Sequence, residues 1–242
     1  MQKITMPMEV SKNFLEVFEM FLTSQAAKGV ADITIRNYRY NMKNMKNYFD
    51  AERPFDAVTK RDIEAMVVAM RKAGLAHNTI ATYNRMLKTF YNWCGSENLS
   101  TLTIATIKEK ETVKETYSDS ELARLLKKPE RGCDFTEYRN WVIVNFLMNC
   151  GCRSASVRNI QNRDVDLEIR QIVLRHTKNG KIQTVPLCSQ MVSILREYMA
   201  VRKGKSDDYL FCDQYGGMLS MNALRLAVAH YNKSRGIQKT SI

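Results

Sequence analysis

The sequence has little that would tie it to a membrane, a metal or an oxidising compartment. No apolar run among its 242 residues approaches the roughly 20 residues a bilayer-spanning helix needs. The opening segment, Met1 to Lys12, lacks the apolar stretch of a signal peptide. A cytoplasmic protein is therefore expected. The three histidines offer no ligand spacing, and the six cysteines form no C-x-x-C pair, so neither a metal nor a cofactor is expected. Cys94, Cys133, Cys150, Cys152, Cys188 and Cys212 read as reduced, half-buried thiols. Acidic residues are also in short supply: 25 against 37 Lys and Arg leave a net charge of +12. Such an excess suits a polyanionic partner, or an acidic membrane surface. It is uneven, with +4 in residues 1–112 (16 basic, 12 acidic) and +8 in residues 113–242 (21 basic, 13 acidic).

What is present is helical periodicity. Phe14, Leu15, Phe18, Phe21 and Leu22 recur at helix spacing, closed by Gly29. A second helix uses Ile35, Tyr38, Met42, Met45 and Phe49, with Asp32 or Thr34 as its cap and Arg53-Pro54 as its break. Thr59 and Asp62 start a third, on Ile63, Met66, Val67 and Met70, ended by Gly74. Asn78 is the expected cap of a fourth, on Ile80, Tyr83, Leu87, Phe90 and Tyr91, ended by Gly95. Residues 1–98 thus read as a four-helix unit and residues 99–116, which have no stable period, as a linker.

Residues 117–242 mix helix and strand. Ser118-Asp-Ser-Glu121 is a capping-box sequence, and the apolar run Asn140 to Asn149 predicts a buried helix. Val165–Leu167, Gln171–His176 and Ile182–Pro186 alternate like strands, the last two pairing across Asn179-Gly180. Ser189 to Arg202 returns to helix, and Ser220 caps a last one. The fold expected is mainly α with a small antiparallel β-sheet.

Two cations stand out. Arg153 follows Cys150-Gly-Cys152 where the apolar helix has run out, and Lys178 lies beside Asn179-Gly180. A guanidinium grips a tetrahedral phosphate bidentately, whereas an ammonium acts as a point charge and, with its pKa lowered by neighbouring cations, as a proton donor. Taken alone, Arg153 reads first as a cation at a helix C-terminus and Lys178 can be an ordinary hairpin lysine, while His176 reads as a packed or surface side chain before a phosphate ligand.

Charged and polar residues also cluster opposite the apolar stripes of two helices. The second offers Arg36, Asn37, Arg39, Tyr40 and Lys43; the fourth offers His77, Asn78, Thr79, Thr82, Arg85 and Lys88. A solvated face is the default for such a set. Arg and Lys also serve phosphates, while Asn, Thr and Arg read base edges.

In order and spacing these features resemble the tyrosine recombinase (phage integrase) family over nearly the whole chain. The family's T-G-x-R-x-S-E-L followed by an Asp-Val/Ile-Asp has its counterpart in Cys150-Gly151-Cys152-Arg153-Ser154-Ala155-Ser156-Val157 and Asp164-Val165-Asp166. Its hairpin lysine running into V-P-L matches Lys178-Asn-Gly-Lys181 and Val185-Pro186-Leu187. Its later L-F, G-G and helix-starting Ser match Leu210-Phe211, Gly216-Gly217 and Ser220.

The resemblance implies a SAM-like core-binding domain and a truncated α+β integrase catalytic domain. It implies double-stranded DNA as partner, with other recombinase protomers in a tetramer. Arg153 would hold a non-bridging oxygen of the scissile phosphate, and Lys178, favoured over Lys181, would protonate the leaving sugar hydroxyl. The two polar helix faces above would lie against the major groove, with Lys181 a further DNA contact.

Three departures accompany it. Ser156 stands where the family has an acidic residue, and Ala155 where it has Ser. No His-x-x-Arg box or nucleophilic tyrosine follows among these residues, so both are expected beyond Ile242. The alternative is a naturally truncated relative that binds recombination sites without cutting, as antagonist or repressor. A domain without its closing helices is expected to expose apolar surface near its C-terminus.

Overall fold

Asn13 and Thr59 start the first and third helices by the same device. Each side chain accepts the N–H three residues on, from Glu16 at 2.9 Å and Asp62 at 3.4 Å, while that residue's carboxylate takes the cap's own N–H at 2.8 Å. The computed structural model describes residues 12–111, 115–177 and 180–239, and the chain divides into two units, 1–112 and 113–242.

The first unit holds α1 (Phe14–Ala27), α2 (Asp32–Met45), α3 (Lys60–Lys72) and α4 (His77–Ser96). All four expected helices are present, but two caps differ. α2 and α4 begin directly after Ala31 and Ala76, with no side-chain cap. Asn78 lies inside α4, one residue past its start, and its side-chain amide bonds Lys110.

Phe90 is the hub of this unit's core. Its ring lies 5.2–6.4 Å, centroid to centroid, from Phe14, Phe18, Phe21, Phe55, Tyr91 and Trp93. Each ring so buried contributes on the order of 1.5–3 kcal/mol through apolar area alone. Residues 99–111 form neither helix nor strand. They are not a free tether. Ile104 is buried, Leu102 and Ile107 pack against the core, and Ile107 N–H donates to the Oδ1 of buried Asn84 at 3.0 Å. We call this segment the strap.

The second unit is built around α6 (Phe135–Cys150), which starts five residues before the expected Asn140 because Asp134 caps it, accepting Glu137 N–H at 2.7 Å. Every residue from Arg139 to Leu147 is buried, so α6 is enclosed on all sides, as a central helix is, with Arg139, Asn140 and Asn145 as polar side chains among apolar ones. Around it stand α5 (Asp119–Leu126), α7 (Ser154–Val157), α8 (Ser189–Arg202) and α9 (Met221–Ser234), with Ser118 and Ser220 as the caps expected of them.

A three-stranded antiparallel sheet runs in the order β1 (Val165–Asp166), β2 (Gln171–Leu174), β3 (Gln183–Pro186), with Leu174 opposite Gln183. The strands are shorter than the alternation predicts. Gly180 N–H donates to Thr177 O at 3.1 Å; Asn179 of the expected Asn179-Gly180 turn lies outside the described residues.

Near the end of the described chain, Met221 and Leu226 are exposed on α9. A groove beside them is lined by Asn140, Ala223, Ala227 and Ile237, with Thr136, His230 and Lys233 among its polar residues. Among the described residues, no helix is long and apolar enough to cross a membrane.

Candidate phosphate site and nucleic-acid interface

Arg153 is presented by a sharp change of direction. Gly151 ends α6 in the left-handed region at φ 56°, where a side chain is strained, and its N–H caps Leu147 O at 2.9 Å. Two residues later Arg153 takes the N-cap position of α7, and its carbonyl accepts from Ser156 and Val157 N–H at 2.8 and 3.2 Å. The backbone is thereby fixed on both sides while the side chain is exposed. Among the described residues no hydrogen bond or ion pair engages the guanidinium, which leaves its donors available to an incoming anion. Ser156, one helical turn on, is buried.

The Asp164-Val165-Asp166 motif has a structural explanation. Asp164 is buried, with one carboxylate oxygen accepting Gln161 N–H at 2.9 Å and the other accepting Arg175 Nε at 2.6 Å. Asp166 accepts the N–H groups of Glu168 and Ile169 at 3.0 and 3.1 Å and so closes the turn into β2. Asp164 therefore clasps the chain just past β2, three residues before Lys178. Lys178 itself lies outside the described residues. Lys181 is exposed, with its carbonyl accepting the Thr177 hydroxyl at 2.6 Å, and His176 is exposed.

The α2 candidates separate by angle around the helix. Arg36, Tyr40 and Lys43 follow one another at i, i+4 and i+7, on the side away from buried Ile35, Met42 and Met45. All three are exposed, Tyr40 by 63%. Asn37 is exposed beside them. Arg39 sits on the flank, where its guanidinium is already paired with Glu19 of α1 at 2.6 Å. That pair raises the Arg39 pKa, first through the hydrogen bond and then through the charge.

The α4 candidates divide more sharply. Among the described residues, no hydrogen bond joins the Thr79 or Thr82 side chain to the strap; the Thr82 hydroxyl donates back to Asn78 O at 2.8 Å. The other four are all held by it. His77 Nε2 meets Lys108 O at 2.8 Å, and Asn78 bonds both the N–H of Lys110 (2.9 Å) and its carbonyl (3.2 Å). Lys88 Nζ donates to the Thr106 hydroxyl at 2.6 Å, and Arg85 forms an ion pair with Glu109.

The catalytic-domain model of the phage integrase family matches residues 115–241, and the N-terminal SAM-like domain model of the same family matches residues 18–98. The chain belongs to the phage integrase family. It is similar to the tyrosine recombinase XerC of Shewanella amazonensis, 21% identical over 231 residues that make up 93% of this chain and 76% of that protein. It is 22% identical over 228 residues to the tyrosine recombinase XerA of Pyrococcus horikoshii, covering 93% and 75%. Among solved structures, it matches a lambda integrase tetramer bound to a Holliday junction with a TM-score of 0.75 at 13% identity, covering 95% of this chain and 65% of that one. It matches the Tn1549 transposon integrase in complex with circular intermediate DNA with a TM-score of 0.73 at 16% identity, covering 93% and 80%. At these identities the structural likeness establishes the fold.

Sequence reasoning missed two features of this integrase-family chain. The strap's bonds to α4 carried no periodic signal; only the Lys108-Glu109-Lys110 charge alternation hinted at partners. The Asp164–Arg175 clasp joins residues eleven positions apart across a turn, and Arg175 read only as part of a strand.

Proposed function

We propose that this chain supplies the duplex-binding and phosphate-gripping parts of a site-specific DNA recombinase. Its partners are double-stranded DNA and further recombinase protomers, four of which act on two sites. Arg153 holds a non-bridging oxygen of the scissile phosphate, where a positioned guanidinium stabilises the charge that spreads over the phosphate in the transition state. Lys178 gives a proton to the departing 5′-oxygen. The attacking group is a tyrosine hydroxyl, which leaves a 3′-phosphotyrosyl bond and a free 5′-hydroxyl.

On the binding side, Arg36, Asn37, Tyr40 and Lys43 of α2 and Thr79 and Thr82 of α4 meet the duplex, with Lys181 on the second unit. Residues 1–98 act as the core-binding domain, 99–116 as the connection and 117–242 as part of the catalytic domain.

The observation that carries this reading is Arg153, exposed and unengaged among the described residues, on backbone fixed by Gly151 and α7. The test is binding of the whole chain to a mixed-sequence duplex as salt rises. A clamp on phosphates loses affinity steeply between about 50 and 200 mM salt. Replacing Arg36 and Lys43 together by Ala flattens the logarithmic salt slope by about 2, while Arg153→Ala leaves affinity within about two-fold. In the protein bearing the tyrosine, Arg153→Ala abolishes the covalent DNA adduct. A flat salt dependence in the unmutated chain, or an undiminished adduct without Arg153, overturns the reading.

A further inference from the structure

The four strap-held residues of α4 pose a physical question. His77, Asn78, Arg85 and Lys88 fall on the polar face expected to meet DNA, yet each already has a partner between Thr106 and Lys110. Those partners resemble a nucleic-acid backbone in chemical type. Four of the five partners offer oxygens: two carbonyls, one hydroxyl, and Glu109, an anion placed on an arginine; the fifth is the Lys110 N–H held by Asn78. The grip is graded. Its inner end is anchored by buried Ile104 and by Ile107 N–H on buried Asn84. Its outer end, Lys108 to Lys110, is exposed throughout. The Arg85 and Glu109 side chains keep 63% and 49% of their surface in water, so their pair is weak and readily exchanged.

We propose that the outer strap is a built-in competitor for DNA, with Glu109 standing on Arg85 where a DNA phosphate would otherwise sit. This rests on the DNA-binding reading of the first unit and adds a regulatory step to it. Binding along this side of α4 exchanges Glu109 for phosphate and frees residues 108–110, while the Asn84–Ile107 anchor stays closed. Arrival of DNA on the first unit is thereby reported to the segment that leads into the second.

A double-mutant cycle on the full chain tests this, with a mixed-sequence duplex as probe. Glu109→Gln is expected to tighten Kd roughly two- to five-fold and to steepen the salt slope by about 0.9, since one more arginine is free to displace a counterion. In an Arg85→Gln background the same change has nothing to release, and the gain disappears. Hydrogen exchange gives an independent readout. On adding duplex, the Lys110 amide, held by Asn78 in the free chain, loses protection, and the Ile107 amide keeps it. Unchanged or weaker binding by Glu109→Gln overturns the proposal, as does an equal gain without Arg85, or unchanged Lys110 protection. A flat salt dependence in all four proteins of the cycle overturns the DNA-binding reading, and the competitor with it.

Discussion

The two units bury different things. Among the described residues, the first buries rings around Phe90 and one side chain of the polar or charged types, Asn84. The second buries Arg139, Asn140, Asn145, Ser156, Asp164 and Asn232 among its apolar residues. The difference follows from the backbone. Helices such as α1 to α4 satisfy their own N–H and C=O groups, so apolar packing between them suffices. The second unit repeatedly breaks from regular structure, and each break leaves backbone groups in need of partners.

Buried side chains supply those partners. Arg139 Nη1 donates to Cys212 O at 2.8 Å, and its other donors are held by Asn140 Oδ1 at 2.9 and 3.2 Å. Burial lowers the Arg139 pKa, with Tyr198 and nearby Cys and Asp groups opposing. Tyr198 donates to Leu210 O at 3.0 Å, and Asn232 to Lys239 O at 2.8 Å. The first unit presents the side chains proposed to meet DNA from regular helices. The second carries Arg153 between two helix ends, on backbone fixed by Gly151 and the first turn of α7.

If that contrast is right, mutations should fail differently in the two halves. The largest loss is expected from Phe90→Ala, about 3–5 kcal/mol in chemical denaturation. Amide protection in α6 should survive while that in α1 to α4 falls; simultaneous collapse of both would break the comparison. Next is Asp164→Asn, which weakens a charge-assisted bond to Arg175 and costs on the order of 1.5–3 kcal/mol. Hydrogen exchange should show β2 and β3 loosened and α1 to α4 unchanged.

The smallest effect concerns the Asp62 carboxyl, held down to about 2 by the Thr59 hydroxyl first, then the Thr59 N–H and the Arg53 guanidinium. Its folded pKa lies below its unfolded value. Its contribution is therefore complete above about pH 4 and is lost as pH falls through 2. Asp62→Asn should remove that part of the acid sensitivity of the first unit's melting temperature and leave the second unit's acid profile unaltered.

The same contrast explains what could be read in advance. In the first unit, four helices and most of their buried residues followed from spacing, because a regular helix repeats its environment every 3.6 residues. In the second, α6 was legible as an apolar run and Ser118 and Ser220 as caps. The Asp134 cap was missed. Arg153 was singled out by motif, and the structure adds why it is presented: Gly151 and α7 fix the backbone around it. The strap was legible only as a stretch without period, since its bonds to α4 join residues eighteen to thirty-two positions apart.

The sequence alone determined the helices, the basic charge and the ordered motifs that mark the family, because each depends on near neighbours or on composition. Tertiary structure alone decided which cations are free. Arg36, Arg39 and Arg85 are one residue type on similar polar faces, yet only Arg36 has no acid partner among the described residues. Glu19 comes from another helix and Glu109 from the strap, and charges so distant in sequence meet only once the chain has folded.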